Sequence, residues 1–381
     1  MDFSFTTEQD LLRDSVRRFM KAECTRDYIR QCSDNDRFPE ELYRKMAAQG
    51  WMAIPFPEEY GGLGLGPMEL AIFLEEAGYG WYGAGSSYFT SVVLGGYNIL
   101  LSGTEEQKKK YIPGIAAGEI KFAFGLSEPN VGSDAASVEL FAEDKGDHFV
   151  LNGQKMFTTN AHVADVIVTV TRTIRKPEKK HHGITLFLVD ARSPGIEIRP
   201  LKQLGRTATH TNEVFFRDVV VPREQMMGTL HGGWNDLTRG LGVERLSVAM
   251  MYAGTSQAII DYVMQYAKER RQFGQPISKF QAVQHKLADM QMQAHIARLM
   301  GYHVAWHLAE DEPCFKEMSM AKLWASESLF DIANNGVQIM GGYGVLKDYD
   351  MEMFFRDSRI GMIGAGASEI QKTIIAKQMG L

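Results

Sequence analysis

A chain of 381 residues, 45% hydrophobic and 23% charged, holds enough apolar side chains for two or three packed units with cores of their own. Its formal net charge of −6 excludes a global nucleic-acid footprint, and no apolar run approaches the ~20 residues of a membrane span. Cys24, Cys32 and Cys314 show neither metal-ligand spacing nor a disulfide framework, and Met1–Phe5 runs into helix-forming sequence without a leader, so a reducing cytoplasm is the expected compartment.

Residues 1–120 read as a helical domain. Thr6-x-x-Gln9 has the pattern of a capping box, after which Leu12, Val16, Phe19 and Met20 recur on one helical face. Pro39 and Gly50 bracket a helix containing Leu42, Met46 and Ala47, and Thr104-x-x-Gln107 opens another. Gly61-Gly62-Leu63-Gly64-Leu65-Gly66 is a loop that follows no strand and misses G-x-G-x-x-G, which argues against a dinucleotide fold.

Residues 121–230 switch to strand chemistry, with β-rich runs at His148–Leu151, Val166–Val170, Ile184–Val189, Ile196–Ile198, Val214–Phe216 and Val219–Val221. Asn152-Gly153 and Pro194-Gly195 read as turns between them. No helical stretch intervenes, so an antiparallel barrel or sandwich is expected rather than a βαβ array. Residues 231–381 return to helix, with periodic stretches at about 235–268, 280–309 and 315–340 and a last helix after Ser368. Val283, Leu287, Met290, Ala294 and Ala297 form an apolar seam suited to a bundle or to another subunit. The expected class is therefore α+β, multidomain: helices, a β domain, then a helical bundle.

Five segments carry a more specific signal. Leu126-Ser127-Glu128-Pro129-Asn130-Val131-Gly132-Ser133-Asp134 is similar to L-T-E-P-x-x-G-S-D, and Gly153–Asn160 to G-x-K-x-[WF]-I-T-N. Arg270-Arg271-Gln272-Phe273-Gly274, then Gln338-Ile339-Met340-Gly341-Gly342-Tyr343-Gly344 with Arg356-Asp357, and finally Gly364-Ala365-Gly366-Ala367-Ser368-Glu369 follow in order. Together they resemble the acyl-CoA dehydrogenase family over nearly the whole chain. The resemblance implies N-terminal helices, a middle β domain, a C-terminal four-helix bundle, bound FAD, a homotetramer, and electron transfer flavoprotein as partner.

Oxidising an acyl-CoA across its α,β carbons needs a base for a weakly acidic α-proton, donors on the thioester oxygen, and an acceptor for the β hydride. The base in many family members occupies the position of Ala365, which takes no proton. In the isovaleryl-CoA dehydrogenase branch it lies instead in an L-E-R-L segment, paired with a late G-A-G-T-S-E. This chain resembles both halves, through Val243-Glu244-Arg245-Leu246 and Gly364–Glu369, which makes Glu244 the expected base. Without that pairing Glu244 would read as a solvated helix glutamate. Glu369 is the rival carboxylate, expected to lie near the flavin.

The resemblance assigns further roles. The Ala365 N–H, flanked by Gly364 and Gly366, would meet the thioester oxygen; Ser133 and Arg245 match CoA-contact positions. Leu126 and Ser127 (Ser for the usual Thr) would meet the flavin pyrimidine, Phe157 cover the ring, and Thr159 bond near N5. Arg270, Gln272, Phe273, Gln338, Gly341 and Gly342 would reach a neighbouring subunit's FAD, and Ala367 in place of Thr puts one flavin bond in doubt. Tyr88 and Phe89, in Gly85–Val93, would narrow the acyl cavity for a branched, cyclic or aromatic group. The basic stretch Arg175–His182 reads as a solvated hairpin tip, and His303 and His307 as packing around Trp306, so no metal is expected.

Four competing functions remain at this stage. A flavin-dependent enoyl-CoA reductase would use the same groups in reverse. An acyl-CoA oxidase usually carries a further helical domain, whereas this sequence stops at Leu381. A monooxygenase of the same fold needs no α-proton base, and a non-enzymatic scaffold would tolerate Glu244→Gln.

Overall fold

The computed structural model describes residues 4–381; Met1–Phe3, part of the stretch read as leader-free, lie outside the described residues. The first helix, α1 (Thr7–Glu23), starts at the expected capping box: Thr6 Oγ1 accepts from Gln9 N at 3.3 Å, and Gln9 Oε1 accepts from Thr6 N at 3.1 Å. After α2 (Arg26–Asp34) comes α3 (Glu40–Ala48), which follows Pro39 and is left through Gly50 at φ 79°. Helices α4 (Pro67–Gly80) and α5 (Tyr82–Phe89), a π-helical stretch (Thr90–Tyr97), α6 (Asn98–Ser102) and α7 (Glu105–Ala116) complete the unit, α7 carrying the second capping box. Two carboxylates on α4 are buried but paired. Glu76 accepts both a Nε and a Nη2 bond from Arg17 at 2.7 Å, and Glu75 accepts from Arg298 at 2.7 Å and from the Tyr302 hydroxyl.

The middle unit is one eight-stranded sheet: β1 (Phe122–Gly125), β2 (Phe141–Asp144), β3 (His148–Thr159), β4 (Val166–Arg172), β5 (Ile184–Asp190), β6 (Ile196–Pro200), β7 (Thr211–Pro222) and β8 (Met226–Met227). Their order is β6-β7-β3-β2-β4-β5-β8, with β1 beside β4. Two expectations are corrected. The sheet is not wholly antiparallel, because β1 runs parallel to β4 and Phe141 of β2 pairs in parallel with Arg172. Asn152-Gly153 is not a turn but an irregularity inside β3, where the register against β7 shifts between Leu151 and Gly153. There the Asn152 side chain exchanges bonds with Asp218 at 3.0 and 2.9 Å, and the two runs Val214–Phe216 and Val219–Val221 are one strand.

Strands β4 and β5 are buried on both faces. Ile167, Phe187 and Val189 meet Phe149, Leu151, Val214 and Phe216 in the sheet's own core, while Val166, Val168, Val170, Leu186 and Leu188 join the helical core. Burial on two sides is why these segments are unbroken apolar runs rather than alternating ones.

The third unit comprises α8 (Gly233–Glu269), a hairpin of β9 (Arg271–Gln272) and β10 (Gln275–Pro276), α9 (Gln281–Ala309), α10 (Phe315–Met340), α11 (Met351–Arg359) and α12 (Ser368–Gln378). Helix α8 packs against α4, α9 and α10, and α12 lies on α10. Glycine sets the α4–α8 distance: a Cβ on Gly254 would stand 1.9 Å from the Glu75 carbonyl oxygen, and one on Gly78 2.3 Å from that of Met251. Among the described residues no helix is long and apolar enough to cross a membrane.

Candidate active site

Glu244 projects from α8 and is half-buried. Packing around the carboxyl pushes its pKa up to about 7, against the opposing pull of Arg245 and Lys322. Arg245 is thus an electrostatic neighbour of Glu244 even though adjacent residues leave a helix at different angles. Burial lowers the Arg245 pKa, and its Nε has no hydrogen-bond partner.

The sequence reading missed Lys322. It lies wholly buried on α10 among Met318, Ala321 and Ala325, and burial lowers it to about 8. Its Nζ donates to Gly361 O at 3.0 Å and Gly366 O at 2.7 Å. The available signal was a lysine on an apolar helical face, a residue type rarely buried unless paired.

These bonds reach the loop that holds Ala365. Ala365 and Gly366 are successive left-handed residues, at φ 54° and 82°. The buried Gln371 donates to the carbonyls of both, at 3.1 Å each. Among the described residues the Ala365 N–H donates to no acceptor, so its one donor remains available to a bound group. Helix α12 begins at Ala367 without a side-chain cap, and Glu369 is exposed in its first turn.

A second group lies where β1 meets β3. Met156 N donates to Ser127 O at 2.8 Å, and Lys155 Nζ to Leu126 O at 3.1 Å. The register of β3 slips between Lys155 and Thr158, and within the slip Phe157 takes φ 57° and stands 63% exposed. Thr159 pairs with Thr211 just beyond. Ser133 is exposed in a loop braced by Asp134, which accepts from Ser137 and from Lys180, both at 2.7 Å. The basic tip is exposed at all of its residues but Pro177, with Lys180 making a surface pair to that loop and the Arg175 guanidinium 3.7 Å over the Phe141 ring.

A third group sits at the far end of the bundle. Arg270 caps α8 and lies 5.3 Å over the Tyr343 ring, beside the exposed Gln338, Gly341 and Gly342. A Cβ on either glycine would meet nothing within 4 Å. Gln272 flanks the hairpin tip, where Phe273 and Gly274 have φ 49° and 81° and Phe273 is 94% exposed. Arg270 is 26 helical residues from Glu244, about 39 Å along α8. Tyr88 belongs to the N-terminal core, fully buried with its ring 4.5 Å from Phe73, and Phe89 is buried beside it.

Three family models match in chain order: the acyl-CoA dehydrogenase N-terminal domain over residues 6–119, the middle domain over 123–219 and the C-terminal domain over 231–380. The chain belongs to the acyl-CoA dehydrogenase family. It is 39% identical over 380 residues to a probable acyl-CoA dehydrogenase, YngJ, of Bacillus subtilis, covering 100% of both chains. It is 37% identical to the caffeyl-CoA reductase-Etf complex subunit CarC of Acetobacterium woodii, covering 98% of each. A solved structure of a glutaryl-coenzyme A dehydrogenase in complex with glutaryl-CoA superimposes with TM-score 0.95 at 35% identity, over 100% of this chain and 97% of that one. The three-domain fold and the FAD-dependent oxidoreduction of acyl-CoA thioesters follow from this membership.

The residues present fit the flavin. An outward aromatic on a bulged strand suits a planar ring, and open glycines beside an arginine suit a diphosphate. Among the described residues no group of three His, Cys, Asp or Glu is placed to hold a metal. The His303 and His307 rings lie 4.5 Å from each other and 6.3 and 4.9 Å from that of Trp306.

Proposed function

We propose that this chain is an acyl-CoA dehydrogenase in which Glu244 moves the α-proton of the thioester, with the same site able to run as an enoyl-CoA reductase. One observation carries the assignment: Glu244 has a carboxyl tuned to about 7 and shares its surroundings, through Lys322, with the loop whose Ala365 cannot act as a base. In oxidation the ionised carboxylate takes the α-proton, and the Ala365 N–H supports the charge that develops on the thioester oxygen. Bound FAD, held by Leu126, Ser127, Phe157 and Thr159, would supply the acceptor for the β hydride. In reduction the protonated carboxyl returns the proton to Cα.

Leu126, Ser127, Phe157 and Thr159 take the flavin ring in this reading. Arg270 stands at the end of α8 remote from Glu244, and Gln272, Phe273, Gln338, Gly341 and Gly342 are grouped with it in this reading to serve the FAD of a neighbouring copy in a homotetramer. Exposed Met292, Leu299, Trp306, Phe315, Met320 and Trp324 on α9 and α10 supply an apolar face for that assembly. Ser133 and Arg245 address CoA, while Glu369 and Ala367 border the flavin. Helix α5 borders the acyl end, since a Cβ on Gly85 would stand 2.6 Å from Met251 Sδ, seven residues from Glu244 on the same face of α8. Tyr88 and Phe89, adjacent in α5 and both buried, would shape the cavity for a branched, cyclic or aromatic acyl group. Electron transfer flavoprotein is the partner we assign, by likeness to the Etf-complexed relative. The cytoplasm is the compartment, supported by three free cysteines.

The test is an anaerobic panel of saturated and 2,3-unsaturated acyl-CoA thioesters, read by flavin absorbance. A saturated thioester should bleach the flavin, and its enoyl product should reoxidise the bleached flavin and return its absorbance. FAD-loaded protein that responds to no thioester in either direction would contradict the reading.

A further inference from the structure

Lys322 is not on the surface of the bundle, and neither the α-proton step nor the flavin contacts as derived above require it. A buried ammonium offers three donors and carries a charge that is costly to bury, so each bond it makes matters. Two go to Gly361 O and Gly366 O, at 3.0 and 2.7 Å, on either side of Ala365. That loop needs holding. An alanine at φ 54° sits where L-residues with a Cβ are strained, and such backbone persists only when its surroundings over-determine it. Lys322 from α10 and Gln371 from α12 provide that restraint from two directions. Both act on carbonyls, leaving the Ala365 N–H free to donate.

The same ammonium is an electrostatic neighbour of Glu244. Around that carboxyl stand Arg245 on α8 and Lys322 on α10, with Arg206 from the β6–β7 loop and Glu327 on α10 acting on Lys322 in turn. Burial drives Glu244 towards its neutral form, and the two cations oppose it. Arg245 has an unpartnered Nε, whereas Lys322 is tied to the Ala365 loop by two hydrogen bonds.

We propose that Lys322 is a positioning residue for this reaction: it fixes the Ala365 N–H for the thioester oxygen and supplies the positive charge that keeps Glu244 ionised. The inference rests on the base assignment made for Glu244. It adds that the base and the oxyanion donor are coupled through one side chain.

The experiment compares Lys322→Met and Lys322→Arg with the parent enzyme, using FAD-loaded full-length protein and a saturated acyl-CoA that reduces the parent's flavin. The rate of anaerobic flavin reduction is followed against pH at saturating thioester, with FAD content measured in parallel. Lys322→Met should keep its FAD, lose roughly tenfold or more in limiting rate, and move the acid limb of the profile upward by about one pH unit. Lys322→Arg keeps the charge but cannot seat one nitrogen between two carbonyls. It should hold the limb in place while lowering the plateau. A methionine variant with FAD, parental rate and an unmoved limb overturns the proposal. If methionine costs the protein its FAD, the arginine variant decides: a parental plateau with a displaced limb overturns it. Glu244→Gln run alongside separates the two claims, because full flavin reduction by that variant defeats the base assignment and not merely the role of Lys322.

Discussion

The Lys155 ammonium lies 2.6 Å from the Glu128 carboxylate, with neither side chain reaching solvent, and also donates to Leu126 O at 3.1 Å. Glu128 in turn accepts from Glu139 N at 2.6 Å and Leu140 N at 2.9 Å. One buried ion pair therefore joins the end of β1, the approach to β2, and β3, the segments that carry Leu126, Ser127 and Phe157. Removing one partner leaves the other buried and uncompensated, at a cost of about 3–5 kcal/mol. Lys155→Met should lower the melting temperature and the bound flavin together, and Lys155→Met with Glu128→Gln should recover part of both. Calorimetry and the ratio of flavin to protein absorbance check this.

Helix α12 starts at Ala367, whose φ of −54° and ψ of 156° suit a capping residue that has no side chain to cap with. Ala367→Thr should add about 1 kcal/mol of stability by accepting from a first-turn N–H. The same hydroxyl should slow FAD dissociation if it reaches the flavin, which a dilution assay measures.

Gly254 faces the Glu75 carbonyl at a distance no Cβ tolerates. Gly254→Ala should force α4 and α8 apart and cost roughly 1–3 kcal/mol, read as a lower denaturant midpoint with an unchanged slope. Phe273→Ala, at a 94% exposed tip, should leave the melting temperature of the FAD-free chain almost unmoved while weakening FAD retention in the assembled enzyme.

Glu244 carries a stability signature besides its chemistry. Its folded pKa, about 7, is above the ordinary 4.5, so between those values the folded chain binds the proton more tightly than the unfolded one. Stability contributed by the protonated group is present below pH 4.5 and lost as pH rises through about 7. Glu244→Gln should therefore be more stable than the parent above pH 7, by roughly 3 kcal/mol, and the gap should close below pH 4.5. Melting curves across that range test it.

The helices were legible because their signals are local. Thr6 with Gln9 and Thr104 with Gln107 form the boxes their spacing announces, and α9 and α10 begin and end within a residue of the periodic stretches. The strand irregularities were not, because a bulge at Asn152-Gly153 and a turn there share the same residues, and only pairing with β7 separates them. Glu244 was singled out by two motifs seen together. Lys322 was passed over because its partners are backbone carbonyls some forty residues away, so its one mark in the sequence is a lysine on an apolar helical face.

Single-turnover flavin reduction by Glu244→Gln, with FAD bound and a productive saturated acyl-CoA present, is the most direct measurement. The account predicts thioester binding with the reduction rate lowered by roughly 10²–10⁴-fold. A glutamine enzyme that bleaches its flavin at the parental rate would show that another group takes the α-proton.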